Sequence, residues 1–292
     1  YRQISYNMDN VAAQDALKSL AALLSSYYGK KAIILLDEYD TPMQEAYIHG
    51  YWEEFTGFMR SMFNATFKTN PYMERGLLTG ITRVSKESIF SDLNNLKVVT
   101  TTSEEYATCF GFTQEEVFTA LEEFQLAGQK DAVKQWYDGF TFGSQRDIYN
   151  PWSITNYLKE KKLLAYWAST SSNDLINRLI QTSKPDVKEF MEELLNEREI
   201  VLNFDEQIVF DQLETKENAI WSLMVASGYL KIDKIEYRGI LHVPWYHLKI
   251  TNLETLGMFS EMFVGWFQNT RSNYNAFIKA MLCGNIKEMN AY

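Results

Sequence analysis

Four consecutive aliphatic residues, Ile33, Ile34, Leu35 and Leu36, run directly into two neighbouring acids, Asp37 and Glu38, and a third acid follows at Asp40. A short unbroken apolar run reads as a strand covered on both faces, the pattern of a parallel sheet. Open α/β sheets place their ligands outside the carboxyl ends of such strands, so the acids stand where chemistry is done. Adjacent strand positions point to opposite sides, which lets the two carboxylates take different roles.

The surrounding pattern agrees with an α/β unit. Asp9 or Asn10 caps a helix on which Val11, Leu17, Leu20, Leu24 and Tyr27 keep helical spacing, and Gly29 ends it. After the strand over 31–36, Trp52, Phe55, Met59, Met62, Phe63 and Phe67 repeat with a helical period up to Asn70 and Pro71, where the turn forbids continuation. A second buried strand is expected over 76–82. Helix, strand, helix, strand is the order of a parallel sheet with crossover helices.

Beyond Thr100 the texture reads as helix after helix, an all-helical lid. Thr113 and Glu116 form a capping box, Asn150 and Pro151 a cap with first-turn proline, and further helices are expected near 172–181 and 186–198. From about Glu217 a helix holding Ile220, Leu223 and Met224 stops at Gly228. Two strands, 229–237 and 240–251, follow around Arg238 and Gly239, the outline of a winged-helix module. Leu256, Phe259, Met262, Phe263, Trp266 and Phe267 mark a closing amphipathic helix. The expected domains are 1–108, an α/β core; 109–200, a helical lid; 201–270, winged-helix-like; and 271–292, the start of a linker.

In a nucleotide hydrolase the first acid of such a strand holds Mg²⁺, and the second polarises the attacking water. Asp37 and Glu38 fit those roles, and the same two residues equally suit a strand that simply leaves into a solvated loop. On the second strand Thr79 and Thr82 could sense a γ-phosphate and Arg83 could neutralise charge developing there. A surface arginine, or one paired with a nearby acid, is the plainer alternative. No Gly-x-x-x-x-Gly-Lys-Ser/Thr cradle is present, and Gly29-Lys30 closes a helix before a strand, the reverse of the required geometry.

Composition narrows the rest. The chain has 292 residues, 46% hydrophobic and 23% charged, so it is globular. A net charge of -10 argues against coating nucleic acid by bulk electrostatics. Lys231, Lys234, Arg238 and Lys249 still offer a local basic face for DNA or a partner. Two cysteines, Cys109 and Cys283, make neither a disulfide framework nor a zinc spacing, and His49, His242 and His247 make no ligand set. Trp136, Tyr137, Asp138, Gly139 and Phe140 read as an aromatic turn, with Asp138 open to a backbone or a partner arginine. Without a membrane-length apolar run or a signal pattern, a soluble cytoplasmic protein is expected. The chain begins at Tyr1 without Met and stops at Tyr292, so both ends read as cut.

Taken in order, the segments 34–42, 78–85, 89–96, 109–113, 136–140, 149–151 and 227–230 resemble the AAA-ATPase-like family of bacterial proteins, in which a P-loop ATPase is usually joined to a nuclease-like domain of the PD-(D/E)XK class. The resemblance spans about the whole chain. It implies a partial P-loop NTPase parallel sheet followed by a helical subdomain and a winged-helix-like module. Asp37 is then the Mg²⁺-side acid, Glu38 the catalytic base, and Thr79, Thr82 and Arg83 the sensor strand. It implies ATP and Mg²⁺ as ligands, a regulatory hydrolase controlling an attached effector such as a nuclease, DNA reached through that effector, no membrane, and a possible homo-oligomer. The family's phosphate loop normally lies upstream of Tyr1. A scaffold for DNA or protein without ATPase activity is the alternative.

Overall fold

The computed structural model describes residues 8–81, 93, 96–168, 174–205, 218–264 and 287. Two compact units divide the chain, one of residues 1–100 with 202–227, the other of residues 101–201 with 228–292. The helix and the hairpin expected to share a module over 201–270 thus fall in different units.

In the first unit Asp9 accepts the Ala12 amide at 2.7 Å and starts α1 (Asn10–Gln14). The single helix expected here is interrupted at Asp15 and resumes as α2 (Ala16–Tyr28), closed by Gly29 in the left-handed conformation at φ 64°. β1 (Ala32–Leu36) leads through the acids into α3 (Thr41–His49), and α4 (Trp52–Phe63) continues through a π-helical turn, Asn64–Lys68. β2 (Met73–Leu78) then pairs with β1 in parallel, Leu35 beside Leu77 and Leu36 beside Leu78. The second strand therefore starts three residues earlier than expected and ends at Leu78, leaving Thr79 beyond it. A further helix, Ala219–Ala226, buries Ile220, Trp221, Leu223 and Met224.

One face of this sheet is packed. Met43, Ala46 and Phe63 are fully buried, and the Phe67 ring lies so close over Gly76 that a Cβ there would stand 2.9 Å from it. Among the described residues nothing covers the other face, where Ile33 is 64%, Leu35 72% and Leu77 51% exposed. This corrects the expectation of a strand covered on both faces. An unbroken apolar run records that both faces are greasy, not what stands over them.

The second unit opens with β3 (Phe112–Thr113) and the expected capping box. The Thr113 amide donates to Glu116 Oε2 at 2.8 Å, and the Glu116 amide to Thr113 Oγ1 at 3.3 Å, starting α5 (Gln114–Glu123). After α6 (Lys130–Tyr137), β4 (Phe140–Phe142) and β5 (Gln145–Tyr149) form a hairpin, and the sheet runs in the order β3-β5-β4 with antiparallel neighbours. The stretch expected to be all-helical thus carries a small sheet. Its strands are two to five residues long, shorter than the window in which alternation can be distinguished from other patterns.

Asn150 Oδ1 accepts the amides of Trp152 and Ser153 and starts α7 (Pro151–Glu160), as expected. α8 (Asp174–Thr182) and α9 (Pro185–Leu195) follow, then β6 (Ile200–Leu202). β7 (Leu230–Arg238) and β8 (Val243–Ile250) make the expected hairpin, Leu230 opposite Ile250 and Arg238 opposite Val243, and the sheet order is β6-β8-β7. Val117, Leu121, Val133, Tyr137, Tyr149, Ile154 and Tyr157 form the core.

The closing helix covers 253–264, whereas Trp266 and Phe267 lie outside the described residues, as does the expected linker apart from residue 287. Inside this unit Glu254 is buried and accepts the Ser153 hydroxyl at 2.8 Å and the Trp167 amide at 2.6 Å. Burial raises its pKa, and these bonds to the ionised form work against that rise. Among the described residues no helix is long and apolar enough to cross a membrane.

Candidate functional site

The parallel register decides the geometry of the acid pair. Because Leu36 and Leu78 are neighbours, the next residues, Asp37 and Thr79, emerge side by side at the carboxyl ends of β1 and β2. The backbone continues the ladder past the strands, Thr79 N–H to Leu36 O at 2.9 Å and Tyr39 N–H to Thr79 O at 3.0 Å. Between these bonds the Thr79 hydroxyl donates to Asp37 Oδ1 and accepts the Glu38 amide at 3.3 Å. The same amide reaches Asp37 Oδ1 at 3.1 Å. Asp37, Glu38 and Thr79 are thus closed into one hydrogen-bonded triangle.

Glu38 adopts φ 49°, the left-handed region that non-glycine residues enter at a cost on the order of 1–3 kcal/mol. That conformation lets its amide turn back to Asp37 and Thr79. Its carboxylate accepts the Thr41 hydroxyl at 3.3 Å, from the first turn of α3. Both acids remain exposed. Chemically, the triangle orients one oxygen of Asp37 through Thr79, and among the described residues Asp37 Oδ2 takes no hydrogen bond. Thr82 and Arg83, the other sensor-strand residues expected from the sequence, lie outside the described residues.

Two further residues belong to this corner. Asp40 is 1% exposed, and a Cβ added to Gly80 would stand 2.6 Å from its Oδ1. The signals for them were present: a third acid after the pair, and a glycine interrupting a run that otherwise reads as strand. Neither carries meaning until the two strand ends are set side by side.

A second acidic cluster lies in the other unit. Asp138 is 7% exposed, and its Oδ1 accepts the Gly139 amide at 2.6 Å. Lys134 Nζ stands 3.8 Å from Asp138 and 3.1 Å from Asp147, bridging the two carboxylates. Burial, together with the charge of Asp147, pushes the Asp138 carboxyl up to about 6, against the pull of the Gly139 amide and Lys134. Asp147 is less buried and is held below its ordinary value by hydrogen bonds from Lys134 and Asp138, which outweigh its own desolvation. The turn expected at Trp136–Phe140 concealed this pair, because Asp147 arrives from the far strand of a hairpin the sequence did not announce.

The four cations considered for DNA or a partner sit on the β7-β8 hairpin, and two are engaged by acids. Lys249 Nζ lies 2.7 Å from Asp233 and 3.9 Å from Glu199. Arg238 lies 2.9 Å from Glu236, with its guanidinium 4.3 Å from the centre of the Trp245 ring. Lys231 and Lys234 stand opposite Lys249 and His247. The field of Lys231 lowers the pKa values of Asp147 and Asp233, as a minor contribution in both cases.

The fold and site define a mixed α/β protein in which a small parallel sheet presents an acid pair and a threonine at its carboxyl end. Residues 1–90 match the AAA-ATPase-like family, described as Predicted AAA-ATPase. A protein of Azotobacter chroococcum mcd 1, described as an uncharacterized protein in the vnfD 5' region, is 26% identical over 240 residues, which is 80% of this chain and 43% of that protein. The chain therefore spans less than half the length of that relative. No solved structure matches.

Proposed function

We propose that this chain is part of an ATP-binding and ATP-hydrolysing regulatory module that controls an attached effector, a nuclease in the reading taken from the family. The observation that carries this reading is the triangle at the ends of β1 and β2, where Thr79 from one strand orients Asp37 from the other and Glu38 is held beside them in a strained backbone conformation.

The donor set fits Mg²⁺ in its usual nucleotide-bound form. That ion keeps several waters and takes one or two carboxylates plus phosphate oxygens rather than an all-protein cage. Among the described residues no group of three His, Cys, Asp or Glu side chains could hold a metal, and Asp37 supplies the single exposed carboxylate such a site needs. Asp37 would hold Mg²⁺, which when bound neutralises charge on the phosphate oxygens. Thr79 fixes the rotamer of Asp37. Glu38 orients the water that attacks the γ-phosphate in line, accepting its proton as the bond to the leaving oxygen breaks. Exposure of Glu38 leaves its carboxylate open to a substrate water.

Replacement of the base tests this. In the longer protein that carries the chain, Glu38→Gln should lower Mg-ATP turnover by on the order of a hundredfold or more while nucleotide binding stays within about twofold. Steady-state phosphate release and equilibrium binding of a fluorescent nucleotide measure the two quantities. Turnover equal to that of an active wild type would reject the role of Glu38, and a wild-type protein without turnover would reject the hydrolase reading.

A further inference from the structure

Glu38 is gripped at three of its groups. Its amide reaches Asp37 Oδ1 at 3.1 Å and the Thr79 hydroxyl at 3.3 Å. Its carbonyl accepts the Thr41 amide at 3.0 Å, and its carboxylate accepts the Thr41 hydroxyl at Oε2, 3.3 Å away. Two of these grips thus come from one residue. The amide ties Glu38 to the strand ends, whereas Thr41 ties its backbone and its side chain together to α3.

That helix is a firm support. Met43 and Ala46 are fully buried, so α3 is anchored within a turn or so of Thr41. Pro42 stands in its first turn, where a fixed φ suits a helix and the missing amide leaves no donor unpaired. Thr41 itself is exposed. A local hydrogen bond between exposed side chains adds little to stability, so its effect lies in where the carboxylate stands.

A glutamate side chain has three rotatable bonds, and left unheld it samples several rotamers. A general base works only within hydrogen-bond reach of the proton it takes, and a misplacement of about 1 Å can cost on the order of a hundredfold in rate. The Thr41 bond occupies Oε2, and no other hydrogen bond reaches this carboxylate among the described residues. Oε1 is the oxygen left open.

We infer that Thr41 is a positioning residue for Glu38: its hydroxyl, carried on the first turn of a core-anchored helix, holds one carboxylate oxygen and leaves the other to the attacking water. It touches no reacting atom and acts through Glu38. The catalytic consequence rests on the hydrolase reading above. The positional claim does not.

Turnover of Mg-ATP by the longer protein reads the consequence. Thr41→Val, which keeps the shape without the hydroxyl, should lower kcat by about tenfold with KM within about twofold, and Thr41→Ser should restore kcat. In a Glu38→Gln background the same change should cost less than about twofold, because the carboxylate through which Thr41 acts is already gone. A full further loss in that background overturns the inference. So does a kcat at or above wild type in Thr41→Val, the sign of a bond that must break before the water is reached.

The position is read without turnover, from three-bond couplings across χ1 of Glu38 in the longer protein labelled with ¹³C in glutamate alone. Wild type and Thr41→Ser should each show one staggered rotamer, and Thr41→Val values averaged over several. Averaged couplings in wild type, or unchanged ones in Thr41→Val, overturn the positional claim. A wild-type protein that hydrolyses no ATP overturns the proposed function instead, and the couplings then judge Thr41 by themselves.

Discussion

Single residues carry most of the chemistry, and their surroundings set its terms. Asp37 and Glu38 are exposed and Thr79 is half-buried, and their arrangement comes from one register and one left-handed backbone angle. Asp138 shows the opposite case, a carboxyl pushed up to about 6 mainly by burial. Because its folded pKa exceeds the ordinary value, the folded chain holds an extra proton between about pH 4 and 6, and stability falls as pH rises through that window. Asp147 has the reverse sign, since its pKa is lowered, and its contribution is lost only as pH falls below the ordinary carboxylate range. Asp138→Asn should therefore flatten the pH 4–6 slope of the thermal midpoint and raise the midpoint at pH 7, as followed by circular dichroism. Asp37 and Glu38 were legible because they are contiguous with an apolar run. Asp147 and Lys134 were not, because nothing local announces that a lysine on a helix and an acid on a hairpin will meet Asp138.

At the scale of elements, caps were the most legible features. Asp9, Thr113 and Asn150 each begin a helix with the hydrogen bond their sequence context calls for. Such bonds satisfy amides that no turn of the helix can reach. Thr113→Ala removes the hydroxyl that accepts the Glu116 amide at the start of α5 and should cost about 1 kcal/mol in chemical denaturation, with Thr113→Ser restoring most of it. The sheet of β3, β4 and β5 was missed for a related reason. Its strands are too short for alternation to register, and Gly139, just before β4 at φ 119°, takes a place where a Cβ would collide with the carbonyl of Thr251 from a distant segment. A one-dimensional pattern carries no trace of that approach.

For the whole molecule, charge is the property that most limits its partners. A net charge of -10 opposes a DNA backbone, and within the second unit Lys249 and Arg238 are held by Asp233, Glu199 and Glu236. Counterion release needs cations free to meet phosphates. This chain alone should therefore show no measurable binding of a labelled duplex at about 0.15 M salt by fluorescence anisotropy. Steeply salt-dependent binding would instead assign the hairpin a nucleic-acid role. The open face of Ile33, Leu35 and Leu77 belongs to this scale as well, since it is apolar by sequence and uncovered by anything the described residues place over it.

The linear order of residues determined where the capped helices start, that the longer apolar runs become strands, and that two acids close the first strand of a parallel pair. Those properties depend on neighbours within a few positions, on period and capping chemistry, and they survive in any context that lets the segment fold. Tertiary structure alone decided that Thr79 stands beside Asp37, that the Asp40 carboxylate is buried next to Gly80, and that Ile33, Leu35 and Leu77 stay exposed. Each of these follows from the register between strands some forty residues apart, and a slip of one residue would turn every side chain to the other face.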